Sequence, residues 1–158
     1  MAISILLIDD NIPFRQGVRT FLEMEPKFKV VGEAKDGKEG LSMVKDHNPA
    51  VVIMDWVMPG IGGLEATRLM KKNYPLIAVI ILSMHADLSY VLGAIQSGAH
   101  GYIVKEDTVH HLPKAILAVH AGCSYFSPQL KNKIPKEILD NLLLSDFNDE
   151  NIEGITHT

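Results

Sequence analysis

The chain has 158 residues, 47% of them hydrophobic and 22% charged, the make-up of a globular protein of one domain or of one domain with an appendage. Its net charge of −4 gives no general basis for nucleic-acid binding, and with one basic and six acidic residues from Pro135 onward the C-terminal stretch is ill suited to DNA. The single cysteine, Cys123, excludes an internal disulfide framework, and Met1 leads into no apolar run long enough for a signal peptide or membrane span, so a cytoplasmic protein is expected.

In chain order, short apolar runs alternate with longer amphipathic stretches, the pattern of a parallel α/β sheet. Ile3–Ile8 is a nearly unbroken aliphatic run, as a strand covered on both faces requires. Asn11 can cap a first helix that tolerates Pro13 in its opening turn. Phe28–Ala34, interrupted by Lys29 and Glu33, reads as an edge strand. Asp36 with Glu39 three residues on resembles a capping box and starts a second helix. Ala50–Met54 is the third strand, and Gly62-Gly63 opens a third helix carrying Leu64, Arg68 and Lys71. Ile77–Leu82 is the fourth strand, followed by a helix with Leu88, Val91, Leu92 and Ile95 as one expected buried stripe. Gly101–Val104 is the fifth strand, and a fifth helix over about 108–121 packs Leu112, Ile116 and Val119, with Pro113 expected to kink it or delay its start. Five βα units in succession predict a doubly wound, five-stranded parallel sheet whose ligands bind beyond the carboxyl ends of the strands.

The carboxyl ends of the strands are therefore where chemistry is sought. Asp9-Asp10 comes after the first, Asp55 ends the third, Ser83 the fourth and Lys105 the fifth. Carboxylates gathered on one rim repel each other, and a hard cation offsets that repulsion; a few carboxylates with water suit Mg²⁺ better than Ca²⁺. Such a metal, with Lys105 and Ser83, would neutralise a transferring phosphoryl group, and Asp55 is the natural nucleophile because a carboxylate can form an aspartyl-phosphate.

These residues, with the segments around them, resemble the response-regulator receiver family of two-component systems, and specifically its NarL/FixJ-type branch. The segments are Leu6-Leu7-Ile8-Asp9-Asp10-Asn11, Val30-Val31-Gly32-Glu33-Ala34, Ile53-Met54-Asp55-Trp56-Val57-Met58-Pro59-Gly60, Gly63-Leu64-Glu65-Ala66, Ile81-Leu82-Ser83-Met84-His85 and Gly98-Ala99-His100-Gly101-Tyr102-Ile103-Val104-Lys105. The resemblance covers roughly residues 3 to 128 and implies a flavodoxin-like sheet of strand order 2-1-3-4-5. It implies Asp55 as phosphoacceptor, Asp10 as a direct Mg²⁺ ligand, Asp9 acting largely through water, and the Val57 carbonyl as a third protein ligand. It further implies that Ser83 turns toward the phosphoryl group, that Lys105 pairs with it, and that the Tyr102 ring swings inward when Ser83 moves. The implied donor is a sensor histidine kinase. A homodimer is a further expectation, and DNA would be reached only through a helix-turn-helix domain that this chain does not contain. The protein is expected not to be an enzyme beyond promoting its own phosphorylation and dephosphorylation.

The chain departs from the pattern in places. Glu106 comes after Lys105 where many receivers have proline with a cis peptide, which leaves that geometry open. By strand alternation the Trp56 ring points away from the Asp55 side chain, and Val57 and His85 flank the site at positions that tune phosphate loss in the family. His110 and His111 are adjacent on a helix and diverge by about 100°, a poor chelating pair. The glycines from Gly60 to Gly63 come after the third strand and fit no nucleotide fingerprint. The methionines read mostly as packing, and Lys71 and Lys72 as complements of a helix dipole. Two rivals on similar sheets fit less well. An aspartyl-phosphate hydrolase wants a carboxylate two residues past its nucleophile, where this chain has Val57. A flavin carrier needs a phosphate cradle, which Asp9-Asp10 would repel. A receiver over residues 1–128 is thus expected, with 129–158 a linker or tail. Pro135–Leu144 would be a short helix with Ile138, Leu139 and Leu142 on one side, and Ser145–Thr158 would be disordered. The chain reads as a receiver cut in an interdomain linker, with a natural single-domain receiver acting through protein–protein contacts as the alternative.

Overall fold

The structure is a computed structural model that describes residues 1–147, with side chains described through Asn141. Six parallel strands form one sheet: β1 (Ile3–Ile8), β2 (Phe28–Ala34), β3 (Val51–Asp55), β4 (Ala78–Ser83), β5 (Gly101–Val104) and β6 (Tyr125–Phe126), in the order β2-β1-β3-β4-β5-β6. The expected five strands and their order are present, and β6 adds a sixth beside β5. Two residues between Ser124 and Ser127 carry no periodic signal, so this strand is not legible in the sequence. It exists because Tyr125 and Ser127 donate their N–H groups to the His100 and Tyr102 carbonyls at 3.0 and 3.1 Å.

Among the described residues five α-helices fill the connections, α1 (Ile12–Glu23), α2 (Gly37–His47), α3 (Gly63–Asn73), α4 (Leu88–Gln96) and α5 (Thr108–His120), and two come after β6, α6 (Pro128–Lys131) and α7 (Lys136–Phe147). Asn11 caps α1 as expected, accepting from Phe14 N–H at 3.1 Å. The capping box of α2 is offset: Asp36 accepts from Glu39 N–H at 2.8 Å, but Glu39 reaches back to Lys35 N–H at 3.1 Å. Helix α5 starts on time and runs unbroken through Pro113, which lies one turn in and forgoes one internal hydrogen bond. A single 3₁₀ turn, Lys105–Asp107, leads into it, and no cis peptide occurs among the described residues, so Lys105–Glu106 is trans. Lys71 does more than complement a helix dipole, since its ammonium donates to the Pro75 and Ile77 carbonyls at 2.6 and 2.7 Å.

The sheet separates two apolar layers by strand alternation. Ile5, Leu7, Ile53, Ile80, Leu82 and Ile103 face α1 and α5. On the other side Leu6, Ile8, Met54, Ile81, Tyr102 and Val104 face α2, α3 and α4. The expected stripe on α4 is only partly buried. Val91 is enclosed, but Leu88, Leu92 and Ile95 remain part-exposed, and Ala94 supplies the second enclosed position. The packed unit also runs past Pro128: Leu130 and Ile134, 0% and 5% exposed, enter the α4-side layer, with Ile138 and Leu139 against it. Helix α7 extends beyond the expected Leu144. The expected disorder from 148 onward, and the side chain of Leu142, lie outside the described residues.

Candidate functional site

Strand parity decides which rim residues meet. Counting on by twos from Leu7, Ile53 and Ile103 places Asp9, Asp55 and Lys105 on the α1/α5 side, whereas Ser83 continues the series of Ile81 on the α4 side. Register brings the ends together, with Ile8 beside Met54, Asp55 beside Leu82 and Ser83 beside Val104.

At this rim the Lys105 ammonium lies 3.0 Å from Asp9 Oδ2 and 3.4 Å from Asp55 Oδ1, and 4.5 Å from the centre of the Phe14 ring. Asp9 and Asp55 are 4% and 9% exposed, and Asp10 is open to solvent. One oxygen from each of the three carboxylates can be chosen so that all lie within 4.8 Å of one another. Burial pushes the Asp55 carboxyl above its usual value, the neighbouring Asp9 charge adds to this, and Lys105 only partly offsets it. Three hard oxygen donors whose mutual repulsion one ammonium does not fully cancel fit a divalent cation such as Mg²⁺. Val57, in the turn two residues past Asp55, is 60% exposed.

Ser83 and Tyr102 form a separate cluster on the α4 side. The Ser83 hydroxyl accepts from His85 N–H at 3.0 Å, and the Tyr102 hydroxyl donates to the His85 carbonyl at 2.8 Å. Tyr102 is wholly enclosed, so its ring already holds the inward position; burial pushes its phenol up to about 12, with the Ser83 hydroxyl opposing. Trp56 points away from the Asp55 side chain, as alternation predicts, and packs edge-on against Tyr90 and Tyr102 at centroid distances of 5.0 and 6.2 Å. His85 stacks on Tyr90 at 4.2 Å.

A third set of residues is not visible in the sequence. Arg15 Nη1 donates to the Asp9 carbonyl at 2.6 Å, and Arg15 Nε and Arg19 Nη1 donate to the two oxygens of Glu33 at 2.8 Å each. In the sequence Glu33 is only a polar residue in an edge strand, and an arginine on an amphipathic helix carries no signal of its own. His111, a poor metal ligand by its spacing, shares a 2.8 Å hydrogen bond with the Tyr125 hydroxyl.

The sheet thus gathers on one rim an acidic pair after β1, an aspartate at the end of β3 and a lysine after β5, and the response regulator receiver domain family matches residues 5–117: the chain belongs to this family. It is 41% identical over 135 residues to the transcriptional regulatory protein DegU of Brevibacillus brevis, and 34% identical over 154 residues to LiaR of Bacillus subtilis. These alignments cover 85% and 98% of this chain but 57% and 71% of those proteins, so the chain spans little more than half the length of the first. Among solved structures, a LuxR-family two-component response regulator from Aurantimonas sp. superimposes with a TM-score of 0.82 at 34% identity, over 88% of this chain and 99% of that one. The receiver domain of NarL from Mycobacterium tuberculosis gives 0.72 at 34% identity, over 77% and 98%. The chain is thus a receiver domain of the two-component response regulators, in a group whose named relatives are transcriptional regulators. No helix among the described residues is long and apolar enough to cross a membrane.

Proposed function

We propose that Asp55 accepts a phosphoryl group from a phosphohistidine of a sensor histidine kinase. The observation that carries this reading is the position of the Lys105 ammonium between Asp9 and Asp55 at a rim where burial and like charge oppose the Asp55 carboxylate. An Asp55 carboxylate oxygen attacks phosphorus, the P–N bond breaks, and the imidazole leaves with its electron pair and takes up a proton. Hydrolysis of the resulting acyl phosphate by water returns the carboxylate and inorganic phosphate. Asp9, Asp10, Asp55 and the Val57 carbonyl would hold Mg²⁺, which supplies positive charge against the phosphoryl oxygens when bound. Lys105, in contact with both carboxylates, stabilises the same oxygens from the protein side. Ser83, next to Val104 across the sheet, gives a hydroxyl whose turn toward the phosphoryl group would release His85 N–H and so reach the loop that Tyr102 also holds.

On this reading the chain turns over no external substrate, and the phosphoacceptor unit, expected over residues 1–128, takes in Leu130 and Ile134 as well, with the following segment leading toward an output. DNA would be contacted by a further domain of the kind its longer relatives imply, and the fold is read as cytoplasmic. The test is intact mass after incubation with Mg²⁺ and a small phosphodonor, beside Asp55→Ala. Gain of one phosphoryl mass by the wild type alone is expected. An equal gain by the variant moves the acceptor elsewhere, and no gain by folded wild type sinks direct acceptance from small donors.

A further inference from the structure

We infer that Arg15 is a positioning residue for the acidic rim, acting through the Asp9 main chain; this rests on the phosphoacceptor reading of the site. The Arg15 side chain is nearly enclosed, and its Nη1 reaches two carbonyls, Asp9 O at 2.6 Å and Ala34 O at 3.3 Å. Those carbonyls belong to the residues just past β1 and at the end of β2, and Asp9 N–H itself donates to Ala34 O at 3.0 Å. Arg15 therefore continues the β1–β2 pairing by one more tie, just where the chain leaves the sheet for α1.

The tie bears on the site because a peptide unit is rigid. The Asp9 carbonyl oxygen lies in one plane with the Cα atoms of both Asp9 and Asp10. Holding that oxygen fixes the plane from which both carboxylates depart. Asp9 is then pinned a second time by its side chain, through Asn11 N–H at 2.8 Å and Lys105 at 3.0 Å. Asp10, exposed, has its orientation set chiefly by the backbone.

Arg15 is in turn aimed by Glu33, whose second oxygen is taken by Arg19. Burial alone would raise the Glu33 carboxyl, but hydrogen bonds from Arg19 and Arg15 outweigh it and hold it below its usual range. Glu33 thus offsets part of the Arg15 charge and shares the rest of its own with Arg19. Phe14, the preceding residue on the same helix turn, lies against the Lys105 ammonium. Adjacent residues of α1 thereby position two separate parts of the rim.

Charge and geometry make opposite predictions for this residue. Removing a cation near three carboxylates should by itself tighten Mg²⁺ binding, and salt would screen that effect. Loosening the Asp9–Asp10 peptide should weaken binding at any salt concentration. The experiment is a Mg²⁺ titration of the full chain and of Arg15→Met, Arg15→Lys and Glu33→Gln, followed by NMR at the Asn11 and Trp56 amides, at low and high salt. Thermal midpoints without Mg²⁺ are measured alongside, to separate the effect from lost stability. Arg15→Met is expected to raise the half-saturating Mg²⁺ concentration about tenfold at both salt levels, as loss of an orienting partner does. Arg15→Lys, which can reach a carbonyl but cannot also fork to Glu33, should fall between it and wild type, and keeps the test open should the methionine variant not fold. Glu33→Gln should shift binding less than Arg15→Met. A saturating wild type with unchanged or tighter binding in Arg15→Met and Arg15→Lys overturns the inference alone. A wild type that never saturates overturns the reading of the site, and the inference with it.

Discussion

Asp55 sits in an environment at odds with its charge. Its carboxyl is raised in the folded protein by burial and by Asp9. A group raised on folding contributes its stability below its unfolded pKa and loses it as pH rises through the folded pKa. At neutral pH, ionised Asp55 therefore subtracts from stability. Asp55→Asn, which keeps the shape and removes the charge, should melt higher than wild type at neutral pH. That gain should vanish as the pH falls below the carboxylate range, and melts at the two pH values would show it. An Asn variant that melts lower at neutral pH would mean that the Lys105 contact outweighs the repulsion. The titratable and hydroxyl residues at strand ends are legible in the sequence because a doubly wound sheet dictates where ligands bind. Arg15 is not, because its role depends on a carbonyl oxygen and a glutamate that only the β1–β2 pairing brings to it.

Among elements, α3 approaches the backbone at the end of β3 closely. Gly63 donates its N–H to the Trp56 carbonyl at 2.9 Å, and a Cβ there would collide with the Asp55 carbonyl oxygen and lie 3.0 Å from Trp56 Cα. Both obstacles are backbone, so neither can turn aside. Gly63→Ala should cost about 1–3 kcal/mol in urea denaturation, and should slow phosphoryl acceptance by shifting Asp55. A variant of wild-type stability would mean that α3 slides freely on the sheet. The glycine pair reads in the sequence as a helix start, which it is. Its close approach is invisible there, since nothing local says that a helix opens against the carbonyl of Asp55. The α4 stripe misleads for a related reason: helical spacing marks apolar positions but does not say how deep the helix sits, and α4 meets the sheet mainly through Val91 and Ala94.

Over the whole molecule, the two apolar layers and the strand order are legible because parallel strands buried on both faces leave long aliphatic runs. The segment after β5 is less so. Leu130 and Ile134 fall in the expected linker, yet they close the α4-side layer, and Ser127, also enclosed, accepts Val104 N–H at 3.2 Å. Lys133 adds a contact from its ammonium to the Ala86 carbonyl at 3.3 Å. If this segment folds with the sheet, Leu130→Ala should lose about 2–5 kcal/mol in a single unfolding transition. A loss below about 1 kcal/mol would place the segment outside the cooperative unit.

The smallest strand also sets which backbone groups the sheet leaves open at its edge. Through β6 and Ser127, the outward-facing groups His100 O, Tyr102 O and Val104 N are all occupied within the chain. The family match ends at residue 117, before any of these partners. A polypeptide stopped there would keep the acidic rim but leave β5 as a bare apolar edge, a template on which a second molecule can add a strand. Two residues of β-structure and one serine hydroxyl thus cover the ladder groups that β5 would otherwise turn to solvent.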